Sequence, residues 1–395
     1  MEYYISDRAK ALKPSAIREI FKYAADSSYI SLSAGNPSPE AFPTKEIAEI
    51  SARIFENNPI GALQYSVTEG YPPLRQALKK YMKTSKQIGS EHDDLIILSG
   101  AQQAMDLLTK STCNEGDTVV CEAPSFIGSL NSFRSYNVRL AGVELEDDGM
   151  NLAALERTLK SEKNVRFIYI IPNFQNPSGV TTSLEKRRAI YDLARKYNVL
   201  ILEDDPYGEL RIRGENIPTI KSMDTDGRVV YVGSFSKILS PGMRVAWTVA
   251  PSQLVSRLVV CKQGSDVHTN IWAQMVAEEF ITKYDFQSHL SRLREIYRKK
   301  AEYCMNLLDK NILPQITYNP IDGGLFIWCR LPKYADMHEF CKKALERHVC
   351  VVPGTAFLTD EDETSSCFRI NFSTPTDDQL EKGIRILGEL AKEIL

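Results

Sequence analysis

Short apolar runs alternate with helical patterns from about residue 95 to about residue 250. The apolar runs are LIILSG, TVVCEA, RFIYIIPN, VLILEDD, VVYVGS and RVAWTVA, and stretches such as AQQAMDLLTKST and LEKRRAIYDLARKYN separate them. Runs this apolar are typical of strands that helices cover on both faces. The pattern therefore predicts a mainly parallel sheet between helices, which places the fold in the α/β class.

The two ends of the chain have other patterns. Near the N-terminus, PSAIREIFKYAA predicts a short amphipathic helix, and the turn formers of SLSAGNPSPEAFP predict an irregular crossing segment. The last hundred residues combine a long charged helix around 285–310 with the strand-like runs GGLFIWCRLP, CVVPGTAFL and CFRINFS and a final helix near TDDQL. We expect an arm and crossing segment over 1–45, a large domain over 46–285 and a smaller α+β domain over 286–395.

Composition narrows the range of partners. The 48 Lys and Arg residues nearly balance the 51 Asp and Glu residues, and a net charge of -3 does not favour binding to nucleic acid or to an anionic membrane. Nowhere do about 18 apolar residues run together, as a membrane span requires. The first residues, MEYYISDRAKALKPS, lack the features of a secretory signal or transit peptide, so we expect a cytoplasmic protein with small-molecule partners or a second copy of itself.

The cysteines and histidines indicate neither disulfides nor a metal site. The eight cysteines lie in apolar contexts such as FIWCRLP and TVVCEAP, and the spacing C-x-x-C is absent from the sequence, so buried reduced thiols are expected. The five histidines, at positions 92, 268, 289, 338 and 348, form no i, i+4 pair. A structural zinc site or a metalloprotease helix is therefore not indicated, and we expect no metal.

Polar side chains collect directly after the predicted strands, which is where ligands bind in open α/β sheets. The residues at these positions are Gly100, Ala101 and Gln102 at a helix start, Asn176 before a proline, Asp204, Asp205 and Tyr207, and then Ser234, Ser236, Lys237 and Arg244. Helix N–H groups, hydroxyls and a guanidinium bind phosphate, a carboxylate pairs with a protonated ring nitrogen, and an amine forms a Schiff base with an aldehyde. Together these groups match the needs of pyridoxal phosphate.

Each feature alone has a plainer interpretation. A lysine after a strand is usually solvated, and the stretches Asp204-Asp205-Pro206 and Asn176-Pro177 are ready turn sequences. Arg244 can simply cap a buried carboxylate. The functional interpretation depends on the order, because four successive strand ends each supply a different group that the cofactor needs.

The same segments resemble a known family. SFSKILSPGMRVAW is similar to the S-x-S-K-x-x-x-P-G-x-R-x-G-W segment of class I and II aminotransferases, and PNFQNPSG and EDDPYGEL resemble the family's companion motifs. The resemblance runs from LSAGNPSPEAFP to CFRINFS and is closest to the kynurenine/2-aminoadipate aminotransferase branch. It implies the type I fold of pyridoxal-phosphate-dependent transferases, with a mainly parallel seven-stranded sheet between helices and a smaller α+β domain.

The resemblance also implies roles for matching residues. Lys237 would carry the cofactor as a Schiff base, Asp204 would pair with the ring nitrogen, and Asn176 and Tyr207 would bind the ring hydroxyl. The phosphate would be surrounded by Ala101, Gln102, Ser234, Ser236 and Arg244. Tyr65 resembles a tyrosine that reaches the phosphate of the neighbouring subunit, which implies a homodimer with shared active sites. The chain departs from the family at Phe126, where a tyrosine is common and stacking on the cofactor remains possible, and at Ala246, where the family has glycine.

The substrate is expected to meet Arg369. In CFRINFS, apolar residues alternate with Arg369, Asn371 and Ser373, as in a half-buried strand, and the matching family arginine binds the substrate α-carboxylate. Without the resemblance, a solvated arginine on a surface strand would be preferred. Gly35 and Asn176 are further expected substrate contacts, and Arg18 is a candidate partner for a distal carboxylate, although a solvated helix face is an equally good interpretation of it.

The expected activity is transfer of an amino group from an aromatic, aliphatic or 2-aminoadipate-like amino acid to a 2-oxo acid, with 2-oxoglutarate as the expected acceptor, by a ping-pong mechanism. One alternative is a carbon-sulfur β-lyase or a decarboxylase on the same fold, because fold and cofactor do not determine which bond breaks. A second is an aminotransferase-like ligand sensor of a transcription regulator. We disfavour it because the chain starts almost directly at the arm and has no basic patch.

Overall fold

The computed structural model describes residues 3–11, 26, 28–360 and 363–395, and its elements are numbered here in chain order. In this part of the chain the strands are β1 (Ile30–Ser31), β2 (Asp93–Leu98), β3 (Thr118–Ala123), β4 (Arg139–Glu146), β5 (Gly149–Met150), β6 (Val165–Ile170), β7 (Leu200–Asp204), β8 (Val229–Ser234), β9 (Ala246–Pro251), β10 (Thr317–Tyr318), β11 (Phe326–Arg330), β12 (Val349–Cys350), β13 (Val352–Pro353) and β14 (Cys367–Asn371). The helices are α1 (Asp7–Ala11), α2 (Thr44–Asn57), α3 (Pro59–Leu63), α4 (Pro72–Lys86), α5 (Ala101–Thr112), α6 (Ile127–Arg134), α7 (Leu152–Ser161), α8 (Leu184–Tyr197), α9 (Ser252–Gln263), α10 (Ile271–Lys283), α11 (Phe286–Asn311), α12 (Met337–Glu346) and α13 (Asp377–Ile394). The helix predicted for PSAIREIFKYAA lies outside the described residues.

The largest sheet has the strand order β2-β9-β8-β7-β6-β3-β4-β5. Its inner strands pair in parallel, and β9 runs antiparallel to both of its neighbours. The predicted mainly parallel sheet between helices is therefore confirmed. It has eight strands rather than the predicted seven, because the chain turns back at Gly149, whose φ of 122° suits glycine, and the two-residue β5 pairs with the end of β4.

Both faces of this sheet are covered, as the apolar runs predict. In β3, Val119 and Cys121 contribute to one hydrophobic cluster while the intervening Val120 contributes to another. In β6, Tyr169 belongs to the first cluster and Ile168 to the second. Since successive side chains of a strand point to opposite faces, the two clusters are the cores on the two sides of the sheet. This explains why polar groups appear where the strands end.

A second sheet, with the order β10-β11-β14-β13, is antiparallel and lies with α11, α12 and α13 in the C-terminal part of the chain. The crossing segment joins this part, because β1 pairs in parallel with β12, and the N–H of Asn371 donates to the carbonyl of Leu32 at 2.7 Å. The long charged helix predicted around 285–310 is α11, and α13 begins with a capping box between Thr376 and Gln379. The domain bounds at 45 and 285 stay a prediction.

One predicted strand is wrong in part. The run CVVPGTAFL was expected to form a single strand, but it forms the short strands β12 and β13 followed by a 3-10 turn over Gly354–Phe357. Pro353 has no N–H to donate to a neighbouring strand, and it stands at the start of the 3-10 turn, where that loss is harmless. None of the helices described combines the length and apolarity needed to cross a membrane.

Candidate active site

A cavity of about 380 Å³ lies at the carboxyl edge of the large sheet and reaches the C-terminal sheet through Arg369. Its walls contain most of the site residues predicted from the sequence: Gly35, Ala101, Gln102, Phe126, Asn176, Asp204, Tyr207, Ser234, Ser236, Lys237, Arg244 and Arg369. These residues come from the ends of five strands, β2, β3, β6, β7 and β8, and from the crossing segment and β14. The folded chain thus brings together groups that are far apart in sequence.

Lys237 follows β8 in a tight turn. Phe235, which packs against Trp247 with ring centroids 5.0 Å apart, anchors this turn in the core. The Lys237 side chain is half-buried because its end faces the cavity, and its Nζ donates to the carbonyl of Gly35 at 2.7 Å. Burial of the amine, together with the charges of Arg369 and Arg244, lowers the pKa of Lys237 to about 8. An appreciable fraction of this amine is therefore neutral near neutral pH, and a neutral amine is a nucleophile and a base.

Asp204 is the last residue of β7 and is buried. Its Oδ2 accepts a hydrogen bond of 2.9 Å from the Tyr169 hydroxyl, whereas its Oδ1 has no partner among the described residues. Burial raises the pKa of Asp204 to about 7, a rise that the Tyr169 hydrogen bond limits and the charge of Asp205 increases. A buried carboxylate oxygen without a partner is costly unless a ligand brings it a proton or positive charge.

A cationic cradle lies where α5 begins. Gly100 precedes the helix with a φ of 93°, and a Cβ placed there would lie 1.9 Å from the Arg244 guanidinium, so only glycine permits this approach. The guanidinium donates to neutral oxygens, the Ser236 hydroxyl at 3.5 Å and the Ser99 carbonyl at 3.4 Å. Its charge therefore remains available to an anion, next to the first N–H groups of a helix.

Asn176, Tyr207 and Phe126 form the remaining polar and aromatic walls. Asn176 lies beside the Tyr207 hydroxyl, and its Oδ1 accepts from the Nη1 of Arg369 at 2.7 Å. Tyr207 is buried, and burial raises its pKa well above the ordinary value, so its hydroxyl keeps its proton. Phe126 stands directly before α6 and lines the cavity. These residues can bind a polar ring from its edge and its face.

Arg369 lies in the middle of β14 and is only 2% exposed. Its guanidinium lies between the rings of Phe326 and Phe357, at 4.1 and 5.0 Å from their centroids, and its Nη2 donates to the carbonyl of Ser33 at 2.8 Å. Its Nε has no partner in the described part of the chain, and burial lowers its pKa to about 10. The strand is buried throughout rather than half-buried as predicted, because its polar face is covered as well: Phe326 and Phe357 flank Arg369, and the crossing segment bonds to Asn371 through Leu32.

Two predicted residues are not part of this cavity as described. Tyr65 follows α3, is 80% exposed and contacts His268 edge-on, with centroids 5.8 Å apart. Arg18 lies outside the described residues. Across the residues that the structure does describe, no group of three or more His, Cys, Asp or Glu side chains is arranged to hold a metal ion.

Sequence reasoning also missed several residues. Asn36, Ile127, Gly128, Ile171 and Pro206 line the cavity as well. Most of them lie within two positions after a predicted site residue or a strand end, and this proximity is the signal in the sequence that could have identified them. Behind the cavity, the Ser129 hydroxyl donates to the Tyr169 hydroxyl at 2.8 Å. Neither residue gives a signal in the sequence, because a tyrosine within an apolar run is expected to be core.

Comparison with known proteins identifies the family. The model of the family described as aminotransferase class I and II matches residues 27–387. Aromatic-amino-acid aminotransferase 1 of Thermococcus litoralis is 37% identical over 99% of this chain and 95% of its own length. The 2-aminoadipate transaminase of Thermus thermophilus is 37% identical over 98% of this chain and 96% of its own length. The crystal structure of Pyrococcus horikoshii kynurenine aminotransferase in complex with PMP superposes with a TM-score of 0.95, at 36% identity over 99% of this chain and 97% of that one.

The cavity fits the cofactor of this family. The unpartnered Oδ1 of Asp204 suits a protonated ring nitrogen, the cradle at Gly100 and Arg244 suits a phosphate, and the amine of Lys237 suits an aldehyde. The match to the family extends over nearly the whole chain. This chain therefore belongs to the class I and II aminotransferases and is an enzyme that uses pyridoxal phosphate to transfer amino groups.

Proposed function

We propose that the cavity around Lys237 is the catalytic site of this aminotransferase and that Lys237 is the amine to which the cofactor is attached at rest. The observation that carries the proposal is the meeting, in one cavity, of a lysine amine of lowered pKa with an unpartnered carboxylate oxygen and two cations. When bound, pyridoxal phosphate supplies an aldehyde that takes up amines and a ring that withdraws electrons from neighbouring bonds.

Lys237 then has a second task. Once its amine is free, Lys237 would take the proton that the substrate Cα loses and would deliver it to the C4′ carbon of the cofactor. Burial and the charges of Arg369 and Arg244 favour the neutral amine that this task needs. The hydrogen bond to the Gly35 carbonyl holds Nζ at the cavity wall.

The other polar groups hold the cofactor in place. Asp204 keeps the ring nitrogen protonated through its free oxygen, and Asn176 and Tyr207 bind the ring hydroxyl. The start of α5 at Ala101 and Gln102, with Ser234, Ser236 and Arg244, binds the phosphate, and Phe126 stacks on the ring. Phe126 has no hydroxyl, so it can stack on the ring but cannot make a phenolic hydrogen bond.

Arg369 is the proposed binding group for the substrate α-carboxylate. Its charge is buried, its hydrogen-bonding partners are the neutral Ser33 carbonyl and Asn176 amide, and its Nε remains available in the described structure. A buried guanidinium gains most from a carboxylate that it binds in a planar, bidentate manner. This contact fixes where the amino group of any α-amino acid lies.

The substrate side chain meets Phe126, Ile127 and Phe326, with Gly35 and Asn36 beside them. These walls favour aromatic or aliphatic donors, and the names of the relatives, which include an aromatic-amino-acid, a 2-aminoadipate and a kynurenine aminotransferase, support the same range. We propose 2-oxoglutarate as acceptor. The role of Arg18 towards a distal carboxylate stays a prediction from the sequence.

We also propose that the enzyme is a homodimer with shared active sites. Apolar side chains stand exposed around α3 and the neighbouring turn before α10, namely Ile60, Leu63, Tyr65, Val67 and Val267. Such a patch on one chain suits a second copy of the chain, which would bring Tyr65 to the phosphate of the partner.

We further propose a cytoplasmic location. The eight thiols are all free, which is typical of proteins in a reducing compartment.

The function is tested by incubating the holoenzyme with each amino acid, with and without 2-oxoglutarate, and measuring glutamate and the new 2-oxo acid. An aminotransferase forms both in equal amounts, whereas a β-lyase or a decarboxylase turns its substrate over without 2-oxoglutarate.

The role of Arg369 is tested with the variants Arg369→Lys and Arg330→Lys, the latter a control at an exposed position of the neighbouring strand. We expect Arg369→Lys to lower kcat/KM by about 10²-fold, because an ammonium cannot bind both carboxylate oxygens in one plane. Equal effects of the two variants would remove Arg369 from the site.

A further inference from the structure

The carboxylate of Asp204 has a support that lies behind the cavity. The Tyr169 hydroxyl donates to its Oδ2 at 2.9 Å and accepts at 2.8 Å from the hydroxyl of Ser129 in α6. Both supporting side chains are fully buried, and neither lines the cavity. Asp204 therefore has one oxygen bound from behind and the other free, and the bound oxygen determines the orientation of the carboxylate.

We propose that Tyr169, supported by Ser129, is a positioning residue that directs the free oxygen of Asp204 to the cofactor ring nitrogen and keeps the shared proton on that nitrogen. The inference rests on the proposed function of Asp204. A hydrogen bond to a carboxylate stabilises its charged form, so it makes Asp204 a weaker competitor for the proton of the ring. A protonated ring withdraws electrons better than a neutral one.

The packing of the core does not require this hydroxyl. The Tyr169 ring contacts Phe133 edge-on at 5.3 Å, and Phe133 makes the same kind of contact with Phe167 at 5.4 Å. A phenylalanine would fill the same space in this aromatic cluster. A buried hydroxyl costs free energy unless it is hydrogen-bonded, and here both of its bonds lie on the line from Ser129 to Asp204. The hydroxyl thus serves the carboxylate rather than the core.

The hydroxyls of Ser129 and Tyr169 have one proton each, and this fixes the direction of the two hydrogen bonds. Ser129 donates to the oxygen of Tyr169, which leaves the phenolic proton for Asp204. Burial raises the pKa of Tyr169 well above its ordinary value, with the charge of Asp204 as the next cause, so the tyrosine stays protonated. A donor that itself accepts a hydrogen bond is a stronger donor, which gives Ser129 an indirect effect. The other titratable groups that interact with Asp204 are Asp205, Glu122 and Tyr207, and a change at Tyr169 leaves them in place.

The chain offers a matched control. Tyr231 in β8 is as buried as Tyr169, and its hydroxyl donates at 3.0 Å to Asp205, which follows Asp204 in the sequence but does not line the cavity. Tyr169→Phe and Tyr231→Phe therefore remove the same atom, from the same kind of environment and from neighbouring carboxylates. Only the first removes a bond to the residue that faces the cofactor.

The test uses holoenzyme loaded with cofactor labelled with nitrogen-15 in the ring, whose chemical shift separates a protonated from a neutral ring nitrogen. We expect Tyr169→Phe to move this signal towards the neutral form and to lower kcat by about tenfold, with KM for the amino acid changed by no more than about twofold. Ser129→Ala should shift the signal in the same direction by less. Tyr231→Phe should leave both the signal and kcat as in the wild type.

The outcomes separate two failures. If the wild-type signal is that of a neutral ring, the proposed role of Asp204 itself fails. If the wild-type ring is protonated and Asp204→Asn abolishes that, while Tyr169→Phe leaves the signal unchanged, only the present inference fails. A shift as large in Tyr231→Phe would show that any loss in this core perturbs the ring. Should Tyr169→Phe not fold, the signal of Ser129→Ala decides, and an unchanged signal there contradicts the proposal.

Discussion

At the scale of single residues, the proposed chemistry depends on the charges of two arginines and one carboxylate around Lys237. Burial and the charges of Arg369 and Arg244 lower the pKa of Lys237, while burial raises the pKa of Asp204. The buried charge of Arg369 and the unpartnered oxygen of Asp204 cost free energy in the protein alone, whereas Arg244 is exposed. A carboxylate beside Arg369 and a protonated ring beside Asp204 would relieve these two costs.

Asp204→Asn tests the carboxylate at this scale. The amide has nearly the same shape and can still accept from Tyr169, but it carries no charge to hold the ring proton. We expect the variant to retain cofactor and to lose about 10²-fold or more in kcat. Stopped-flow absorbance of the single-turnover reaction with an amino acid measures this directly. A rate within twofold of the wild type would contradict the role of Asp204.

The sequence predicted these residues unequally. Lys237, Asp204 and Arg244 were found because each follows an apolar run and matches a family motif. Tyr169 and Ser129 were missed because their contribution depends on hydrogen bonds across the sheet, between β6, β7 and α6, which no local pattern reveals. The burial of Arg369 was underestimated for the same reason, since the rings of Phe326 and Phe357 come from other elements.

At the scale of elements, the parallel sheet places its polar groups at one edge. The ends of β3, β6, β7 and β8 and the start of α5 all meet there because the strands run in one direction. This is why the alternation of apolar runs and helices predicted the position of the site along with the fold. The contribution of the crossing segment was not predictable from periodicity, because β1 has only two residues and pairs with β12, more than 300 positions away.

Gly100→Ala tests the start of α5. An alanine at this position would have to adopt a φ of 93°. Its Cβ would also lie 1.9 Å from the Arg244 guanidinium, so the guanidinium must move away from the cradle. We expect cofactor binding to weaken by about tenfold or more. The measurement is the dissociation constant from titration of the apoenzyme with pyridoxal phosphate.

Gly116→Ala is the control for backbone strain. Gly116 has a similar φ of 82°, but a Cβ there has nothing within 4 Å. This variant should lose stability of about 1 kcal/mol and bind cofactor as the wild type does. If the two variants bind cofactor equally well, the close approach of Gly100 and Arg244 has no part in phosphate binding.

At the scale of the whole molecule, the cavity of one chain lacks one predicted contributor. Tyr65 lies in an exposed apolar patch that also includes Leu63 and Val67, outside the cavity of its own chain. In the proposed homodimer, a symmetric pairing of this patch with a second copy would bury the apolar surface and would bring a tyrosine of each chain to the site of the other. The sequence alone gave no indication of the patch, because single apolar residues in loops do not reveal their neighbours in space.

Mixing two inactive or weakened variants tests the shared site. In a heterodimer of Tyr65→Phe and Lys237→Ala, one site has both an intact lysine and an intact tyrosine, and the other has neither. Equal mixing after dissociation should therefore restore about a quarter of all sites to wild-type activity. Activity of the mixture that equals the mean of the two parents would contradict shared sites, and so would a fully active monomer in sedimentation.

The role of Lys237 is tested most directly by following a labelled amino group. Holoenzyme is incubated with an aromatic amino acid labelled with nitrogen-15 and with 2-oxoglutarate, and labelled glutamate is measured by mass spectrometry for the wild type and for Lys237→Ala, with folding checked by circular dichroism. We predict that the wild type transfers the label and that the variant, which lacks both the attachment amine and the base, is slower by about 10³-fold or more while it remains folded. Transfer by the folded variant within tenfold of the wild-type rate would contradict this account of the site.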